Sequence, residues 1–267
     1  MTGRLMKPHE VEEARLQTVV KSNELIQRSR YQLSLLEQKI VLFFISKIKA
    51  DDEAFTEYEF PMRDLCELMG ISHNPKNYQN FKDAIQDLAD KSFWVETDTT
   101  DMLCRWVTDA KIVKGDSVIK IRLDDKLKPY LLQLQKQFTS FSLEYVLLMK
   151  SKYSIRLYEM LKSYEYVHGY IFELDELKKR IEANGYSHYT DFRVKVLEPA
   201  IHEINEYTDI DVDVFPIRDG RSIKFLEFSI MPKNDVGTRY AHMRRKNGFE
   251  QRQLHAAGKK EQKKMDD

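Results

Sequence analysis

The sequence predicts an α+β fold made of two tandem winged-helix domains related by internal duplication. Three observations carry this. One order of patterns occurs twice: Phe60-Pro-Met-Arg-Asp-Leu65, Tyr78 to Lys91 and a β-rich Ser92 to Leu123, then Phe172-Glu-Leu-Asp-Glu-Leu177, Tyr189 to Glu206 and a β-rich Asp209 to Met231. The spacing is kept, with 21 residues from Phe60 to Phe81, 20 from Phe172 to Phe192, and the copies about 112 apart. Each copy reads as a long helix, a short strand, two helices and a β-hairpin. That is the order of a helix-turn-helix variant whose second helix usually lies in a DNA major groove.

The elements follow in order. Residues 1–17 are polar and expected to be mobile. Ser34 with Glu37 forms a capping box, and Ile40, Val41, Phe44, Ile45 and Ile48 then make an apolar stripe, so a helix is expected over 35–49. Thr56 to Phe60 alternates as a short strand that Pro61 ends. Arg63 to Met69 is a short helix stopped by Gly70. Tyr78 to Lys91 places Phe81, Ile85 and Leu88 on one face. Phe93 to Thr97, Arg105 to Val107 and Val118 to Arg122 read as strands, with a turn at Lys114-Gly115-Asp116. Leu127 to Thr139 is an ordered, partly helical connection.

The second copy opens with Phe141 to Tyr145, and one long helix with Leu147, Leu148, Ile155, Leu157, Tyr158 and Leu161 follows. Tyr170 to Leu174 is a strand. Asp175 caps a helix that runs to Ala183 and ends at Asn184-Gly185. Thr190 to Glu206 is helical, and Pro199 either kinks it or splits it in two. Asp209 to Phe215 and Ile223 to Ile230 are hairpin strands around the tip Arg218-Asp-Gly-Arg221. The first domain is thus 18–136 and the second 137–231. The rest, 232–267, is a basic tail expected to be disordered.

Composition narrows the functional classes. The chain has 267 residues, 42% hydrophobic and 32% charged, which suits one or two soluble domains. No apolar run nears the roughly 18 residues of a membrane span, and the first residues hold no signal-peptide-like apolar stretch. Only Cys66 and Cys104 occur, so no disulfide framework is expected, and a reducing, bacterial cytoplasm fits. Both are read as buried apolar side chains. Net charge is zero, but Pro232 to Asp267 carries ten Lys/Arg against five Asp/Glu. Binding to a polyanion would therefore rest on local basic patches.

No catalytic, metal or cofactor site is expected. Gly258-Lys259 lacks the earlier glycine and the hydroxyl of a P-loop. The seven histidines are scattered and form no His-x-His pair, and two cysteines 38 residues apart make no zinc site.

Base readout needs paired donors or acceptors on a helix that can enter a groove. On Thr190 to Glu206 these are Thr190, Asp191, Arg193, Lys195 and His202, with Arg193 the candidate for guanine and Lys195 for phosphate or base. His188 and Tyr189 precede the helix and can reach the backbone. Arg218, Arg221 and Lys224 form the wing. Lys150, Lys152 and Arg156 form a third cluster, in which 152 and 156 share a helix face and can grip adjacent phosphates, with Ser151 and Tyr153 beside them. In the first copy the corresponding helix offers Lys76, Asn77, Tyr78, Gln79, Asn80, Lys82 and Gln86. It is less charged, and weaker binding or protein contact is expected there. Phe43, Phe44, Phe93 and Trp94 are read as core.

Three segments carry a family likeness. Val19 to Ile26 (Val-Val-Lys-Ser-Asn-Glu-Leu-Ile), Leu33 to Lys39 (Leu-Ser-Leu-Leu-Glu-Gln-Lys) and Lys150 to Tyr158 (Lys-Ser-Lys-Tyr-Ser-Ile-Arg-Leu-Tyr) resemble plasmid replication initiator proteins of the iteron-binding, theta-type class. The last segment is the most specific, and the likeness covers residues 18–231. It implies two winged-helix domains that bind direct repeats (iterons) on double-stranded DNA at a plasmid origin as a monomer. It also implies a homodimer that represses its own gene, with dimerisation and auxiliary DNA contacts in the first domain and the main reading in the second. Host initiator and helicase machinery would be the protein partners. Two rival readings share the fold: a winged-helix transcription regulator without a replication role, and a protein-interaction module. Zero net charge favours the latter, while Arg193, Arg218 and Arg221 oppose it.

Overall fold

A computed structural model describes residues 6–113 and 117–233. The Lys114-Gly115-Asp116 turn and the tail from Asn234 onward lie outside the described residues.

The N-terminal stretch expected to be mobile is in part a helix, α1 (Pro8–Arg15). It buries Val11 and Ala14. Arg15 donates to the Leu68 and Glu67 carbonyls at 3.1 and 2.9 Å. Two apolar residues three apart are a full stripe for two turns, too short a pattern to stand out in sequence.

The first domain continues with β1 (Thr18–Ser22), α2 (Asn23–Arg28), β2 (Ser29–Arg30) and α3 (Leu35–Ile45). The capping box forms: Ser34 Oγ accepts the Glu37 N–H at 3.3 Å, and the Glu37 carboxylate accepts the Ser34 N–H at 3.1 Å. β3 (Tyr58–Pro61), α4 (Met62–Leu68) and α5 (Pro75–Asp90) follow. Gly70, at φ +66°, supplies the left-handed residue that turns the chain out of α4. Asn74 caps α5 by accepting the Asn77 N–H at 2.9 Å, with Pro75 in the first turn. The β-rich stretch then holds two hairpins, β4 (Ser92–Glu96) with β5 (Asp101–Arg105), and β6 (Val107–Val113) with β7 (Val118–Leu123). The short α6 (Lys128–Leu131) lies in the connection, as expected.

The second half contains β8 (Phe138–Ser142), α7 (Leu143–Leu148), α8 (Lys152–Lys162), β9 (Gly169–Glu173) and α9 (Leu174–Arg180). It ends with α10 (Tyr189–Phe192), α11 (Glu198–Tyr207), β10 (Ile210–Asp219) and β11 (Ser222–Pro232).

The duplication is visible in the sheets. One has the order β3-β7-β6 and the other β9-β11-β10, both antiparallel. Phe60 faces Ile119 in the first and Phe172 faces Leu226 in the second. The hairpin β4–β5 has no counterpart. It pairs with β2 instead, and accounts for the extra length of the first β-rich stretch. Phe93 points inward, with Tyr31 and Trp106 against it. Trp94, read as core, lies on the outer face and is 49% exposed, because strand alternation turns it away from its neighbour. Phe43 and Phe44 are buried as expected, and so are Cys66 and Cys104.

Three expected helices are built differently. The long helix expected through Leu147 to Leu161 breaks at Met149-Lys150-Ser151, where Met149 is extended and Ser151 caps α8 by accepting the Tyr153 N–H at 3.2 Å. Asp175 does not cap α9. The helix begins at Leu174 and turns out through Glu182, at φ +62°. The helical run is not split at Pro199, which lies in the first turn of α11. Arg193–Leu197 is a π-turn that joins α10 to α11, and the Glu198 N–H bonds the Arg193 carbonyl, five residues back. A proline cannot donate to the carbonyl four residues earlier and its ring crowds it, so the backbone widens by one residue just upstream.

The two halves meet in a ladder of matching pieces. Each half has a strand that runs straight into a short helix, β1 into α2 and β8 into α7. These strands pair antiparallel, centred on Val20 and Ser140. The ladder extends equally at both ends: Leu143 N–H donates to the Gln17 carbonyl at 2.9 Å, and Asn23 N–H to the Gln137 carbonyl at 2.7 Å. The joint thus has an approximate two-fold relation between copies of one unit, and the apolar core runs through it without a gap.

Candidate nucleic-acid interface

The helix that follows α9 is held by its apolar face. Phe192, Val196, Leu197, Ala200 and Ile204 are buried, and α11 packs on α8 and β10. That leaves Thr190, Arg193, Val194 and Lys195 outward on the first turns, with His188 exposed just ahead. Tyr189 is half-buried, and burial pushes its hydroxyl pKa up. The exposed basic side chains on this helix each meet a carboxylate of the same helix. Arg193 meets Glu198 at 3.2 Å, Lys195 meets Asp191 at 3.1 Å, and His202 meets Glu206 at 3.2 Å. The Arg193–Glu198 pair spans five residues, a spacing the π-turn brings onto one side. Such exposed pairs contribute about 0–1 kcal/mol, so an incoming phosphate or base edge can displace the carboxylate at low cost. The helix therefore combines donors, acceptors and one apolar contact, its two cations outnumbered by Asp191, Glu198, Glu203 and Glu206.

Val194 is the residue that sequence reasoning missed. It is 49% exposed between two cations. An apolar side chain on a polar helix face was the available signal, and contact with a thymine methyl is the matching chemistry.

The wing is the β10–β11 hairpin. A register shift falls between Ile217 and Arg218, and Gly220 takes φ +61° at the tip. Arg218, Arg221 and Lys224 are all exposed there, and Arg218 donates to the Arg221 carbonyl at 3.3 Å.

The third cluster separates. Lys150 is exposed and Lys152 half-buried, with its ammonium 5.1 Å from the Tyr153 ring. Arg156, expected to grip phosphate beside Lys152, is 3% exposed and faces the domain joint. Its guanidinium donates to the Ile26 and Ser29 carbonyls at 2.8 and 2.7 Å, to Tyr31 Oη at 3.1 Å and to the Arg180 carbonyl at 3.3 Å. Lys152 and Arg156 do share α8, but at Arg156 the helix packs against the segment Ile26 to Tyr31, which takes the guanidinium away from solvent. Ser151 caps that helix. The Lys150 and Ser151 N–H groups are taken by the Glu203 carboxylate of α11 at 3.0 and 3.3 Å. The same break is held from the first domain, where Lys39 donates to the Leu147 carbonyl at 2.7 Å and Gln38 to the Lys152 carbonyl at 3.2 Å.

In the first domain α5 presents Lys76, Gln79, Asn80, Lys82 and Gln86 outward, with Phe81, Ile85 and Leu88 buried beneath. Part of its amide chemistry is internal. Asn77 donates to the Ser72 carbonyl at 2.7 Å, Asn80 to Asn77 Oδ1 at 3.3 Å, and Gln79 to Asp83 at 2.6 Å.

Two winged helices in series, each with an exposed polar helix and a hairpin behind it, define the class. The family profile described as "Initiator Replication protein, WH1" matches residues 18–162, and "Initiator Rep protein, WH2" matches 173–230. The chain belongs to this family of replication initiator proteins. An uncharacterized 27.6 kDa protein of Escherichia coli is 25% identical over 233 residues, which is 81% of this chain and 95% of that one. A replication initiation protein of Escherichia coli is 27% identical over 73% of this chain, which spans 64% of that protein's length. The Pi initiator protein, solved in complex with iteron DNA, shares the fold at a TM-score of 0.67 and 20% identity, over 83% of this chain and 99% of that one. Among the described residues no helix is long and apolar enough to cross a membrane.

Proposed function

We propose that this protein initiates plasmid replication by binding direct repeats in origin DNA through both winged helices, in the cytoplasm of a bacterium. The observation that carries the reading is the outward face His188 to Lys195, set on a buried apolar spine and backed by the Arg218–Lys224 wing. A shared sheet order gives α5 the same setting in the first domain. Membership of the initiator family, and the likeness to a replication initiation protein and to an initiator that binds iteron DNA, support it.

In this reading Arg193 bonds a guanine, Thr190 and Lys195 contact base or phosphate, and Val194 touches a thymine methyl. His188, Tyr189, Arg218, Arg221, Lys224, Lys150 and Lys152 position the duplex through its backbone. In the first domain Lys76, Asn77, Gln79, Asn80 and Lys82 make auxiliary contacts. The protein acts by binding and catalyses no reaction. Duplex opening draws on binding free energy and on cooperation between adjacent copies, and host initiator and helicase proteins are recruited afterwards. A homodimer formed through the first domain represses the protein's own gene.

Footprinting the DNA that flanks the gene, at about physiological salt, tests this. The expected result is protection of several direct repeats at spacings related to the helical turn. A single protected inverted repeat would leave only a repressor. Absence of protection would overturn the proposal.

A further inference from the structure

Between the N-terminal strands and α8 lies a polar cluster that the DNA chemistry leaves unused. Lys21 of β1, Tyr31 after β2, and Arg156 and Glu159 of α8 are 1%, 7%, 3% and 1% exposed. Lys21 Nζ meets Glu159 Oε1 at 2.7 Å. Tyr31 Oη donates to Glu159 Oε2 at 3.1 Å, and accepts from Lys21 at 3.4 Å and Arg156 at 3.1 Å. That uses the hydroxyl's one proton and both lone pairs. Trp106 closes the cluster, its ring lying 5.5 Å from Lys21 Nζ. Around it Arg180 donates to the Gln27 carbonyl at 3.0 Å, and Arg30 meets Glu176 at 3.1 Å.

Lys21 and Tyr31 come from the N-terminal part of the chain, Arg156 and Glu159 from α8. The Lys21–Glu159, Tyr31–Glu159 and Arg156–Tyr31 bonds link the two sides, whereas Lys21–Tyr31 and Arg156–Glu159 stay within one. A buried ion pair adds little net stability, since desolvation offsets the attraction, but a misplaced partner leaves a charge stranded. Such a cluster tolerates one relative placement of its two sides and penalises the rest. An apolar joint would permit sliding.

We propose that Lys21, Tyr31, Arg156 and Glu159 act as positioning residues that fix the offset between α5 and the Thr190–Lys195 helix, and so set the spacing between the two stretches of duplex accepted in one binding event. The inference rests on both helices reading DNA. α8 is the physical link, because it carries Arg156 and Glu159 on the joint side and packs against α11 on the other. The Lys150-Ser-Lys-Tyr-Ser-Ile-Arg-Leu-Tyr segment is therefore the joint itself, with its exposed lysine as the exception.

The test compares the full-length protein with a Lys21→Met, Glu159→Gln variant, which removes one cation and one anion and leaves the cluster's net charge unchanged. Spin labels on Gln86→Cys and His202→Cys, both exposed, report the distance between the helices. Cys66 and Cys104 are buried and stay unlabelled. The parent should give one narrow distance distribution, and the variant a broadened or shifted one with its helical circular dichroism retained. An unchanged narrow distribution overturns the proposal. Should the double variant not fold, Tyr31→Phe carries the same comparison.

The second readout is affinity for a duplex holding one footprinted repeat, against the same duplex with one base pair inserted at its centre. The parent should bind the inserted duplex at least tenfold more weakly, and the variant should lose most of that discrimination. Equal discrimination by parent and variant counts against the joint. A parent that binds neither duplex removes the DNA reading, while the label distances still judge whether the cluster fixes the offset.

Discussion

Arg156→Met separates a joint residue from a DNA contact. In the folded chain this guanidinium satisfies the buried Ile26 and Ser29 carbonyls and Tyr31 Oη, and lies 3.7 Å from Glu159. Methionine retains most of the stem's volume but no donor. Stranding a buried acceptor costs about 1–3 kcal/mol each. Glu159 is not stranded, because Lys21 stays at 2.7 Å, so the loss falls short of the 3–5 kcal/mol expected when a buried pair is broken outright. About 3 kcal/mol is the expected destabilisation, a large share of a typical 5–15 kcal/mol. Urea unfolding followed by circular dichroism measures it, provided the slope with denaturant is unchanged. Duplex affinity of the folded variant should keep the parent's salt dependence, since no phosphate contact is removed. A loss under about 1 kcal/mol, together with a salt slope flattened by about one, would mean that Arg156 grips phosphate and that its buried placement is wrong.

Three further outcomes are expected. Arg193→Ala removes a surface pair of little worth to stability, so unfolding should be unchanged, while duplex binding weakens by about 1–3 kcal/mol and discrimination relaxes at one base position, read by competition with single-base variants of the repeat. Lys150→Ala should weaken binding to all duplexes alike and flatten the plot of log affinity against log salt by about one; a sequence-dependent loss would assign it to a base. Lys47 is covered by Phe43 and Phe60, and burial lowers its ammonium pKa from 10.5 to about 8. The unfolded chain then holds this proton more tightly than the folded one, so stability rises as pH climbs from about 8 toward 10.5 and is least below 8. Lys47→Met should abolish that rise and stabilise the fold at pH 7 by about 1 kcal/mol, a value reduced because the group is partly exposed; urea titrations at pH 7 and pH 9.5 check both.

How much was legible in the sequence follows from the range of each interaction. The repeated order, the Ser34–Glu37 capping box and the alternation of β10 are local, and local patterns can be read from one chain. Trp94 was misplaced because its neighbour Phe93 is core and only pairing with β2 decides which face turns inward. The break at Lys150 was hidden because Leu147 and Ile155 continue a plausible stripe across it. What fixes it is Glu203 and Lys39, 53 and 108 residues away from their backbone partners. Arg156 was misassigned for the same reason, since its acceptors lie 125 to 130 residues earlier in the chain. The exposed candidates, Thr190, Arg193, Lys195, Arg218 and Arg221, were legible from helix spacing and turn chemistry alone. Their self-pairing with Asp191 and Glu198 on the reading helix was not weighed, although the spacing of Asp191 and Lys195 announces it.

The duplication bears on how such a chain acquires a fixed geometry. Two copies of a strand-then-helix piece pair antiparallel, so β1 and β8 each cover one edge of the other. That ladder alone sets only a register, and a two-stranded ribbon twists readily. The asymmetric additions do the rest. Lys21 lies on β1 at the position of Phe141 or its neighbours on β8, where the second copy has only apolar or hydroxyl side chains, and it meets a carboxylate on a helix that belongs to the other half. The added β4–β5 hairpin places Phe93 against Tyr31 and Trp106, which orients the hydroxyl at the centre of the cluster. In the proposed reading a symmetric joint would present two equal helices to the duplex, whereas this one would couple a sparsely charged α5 to a better furnished second helix.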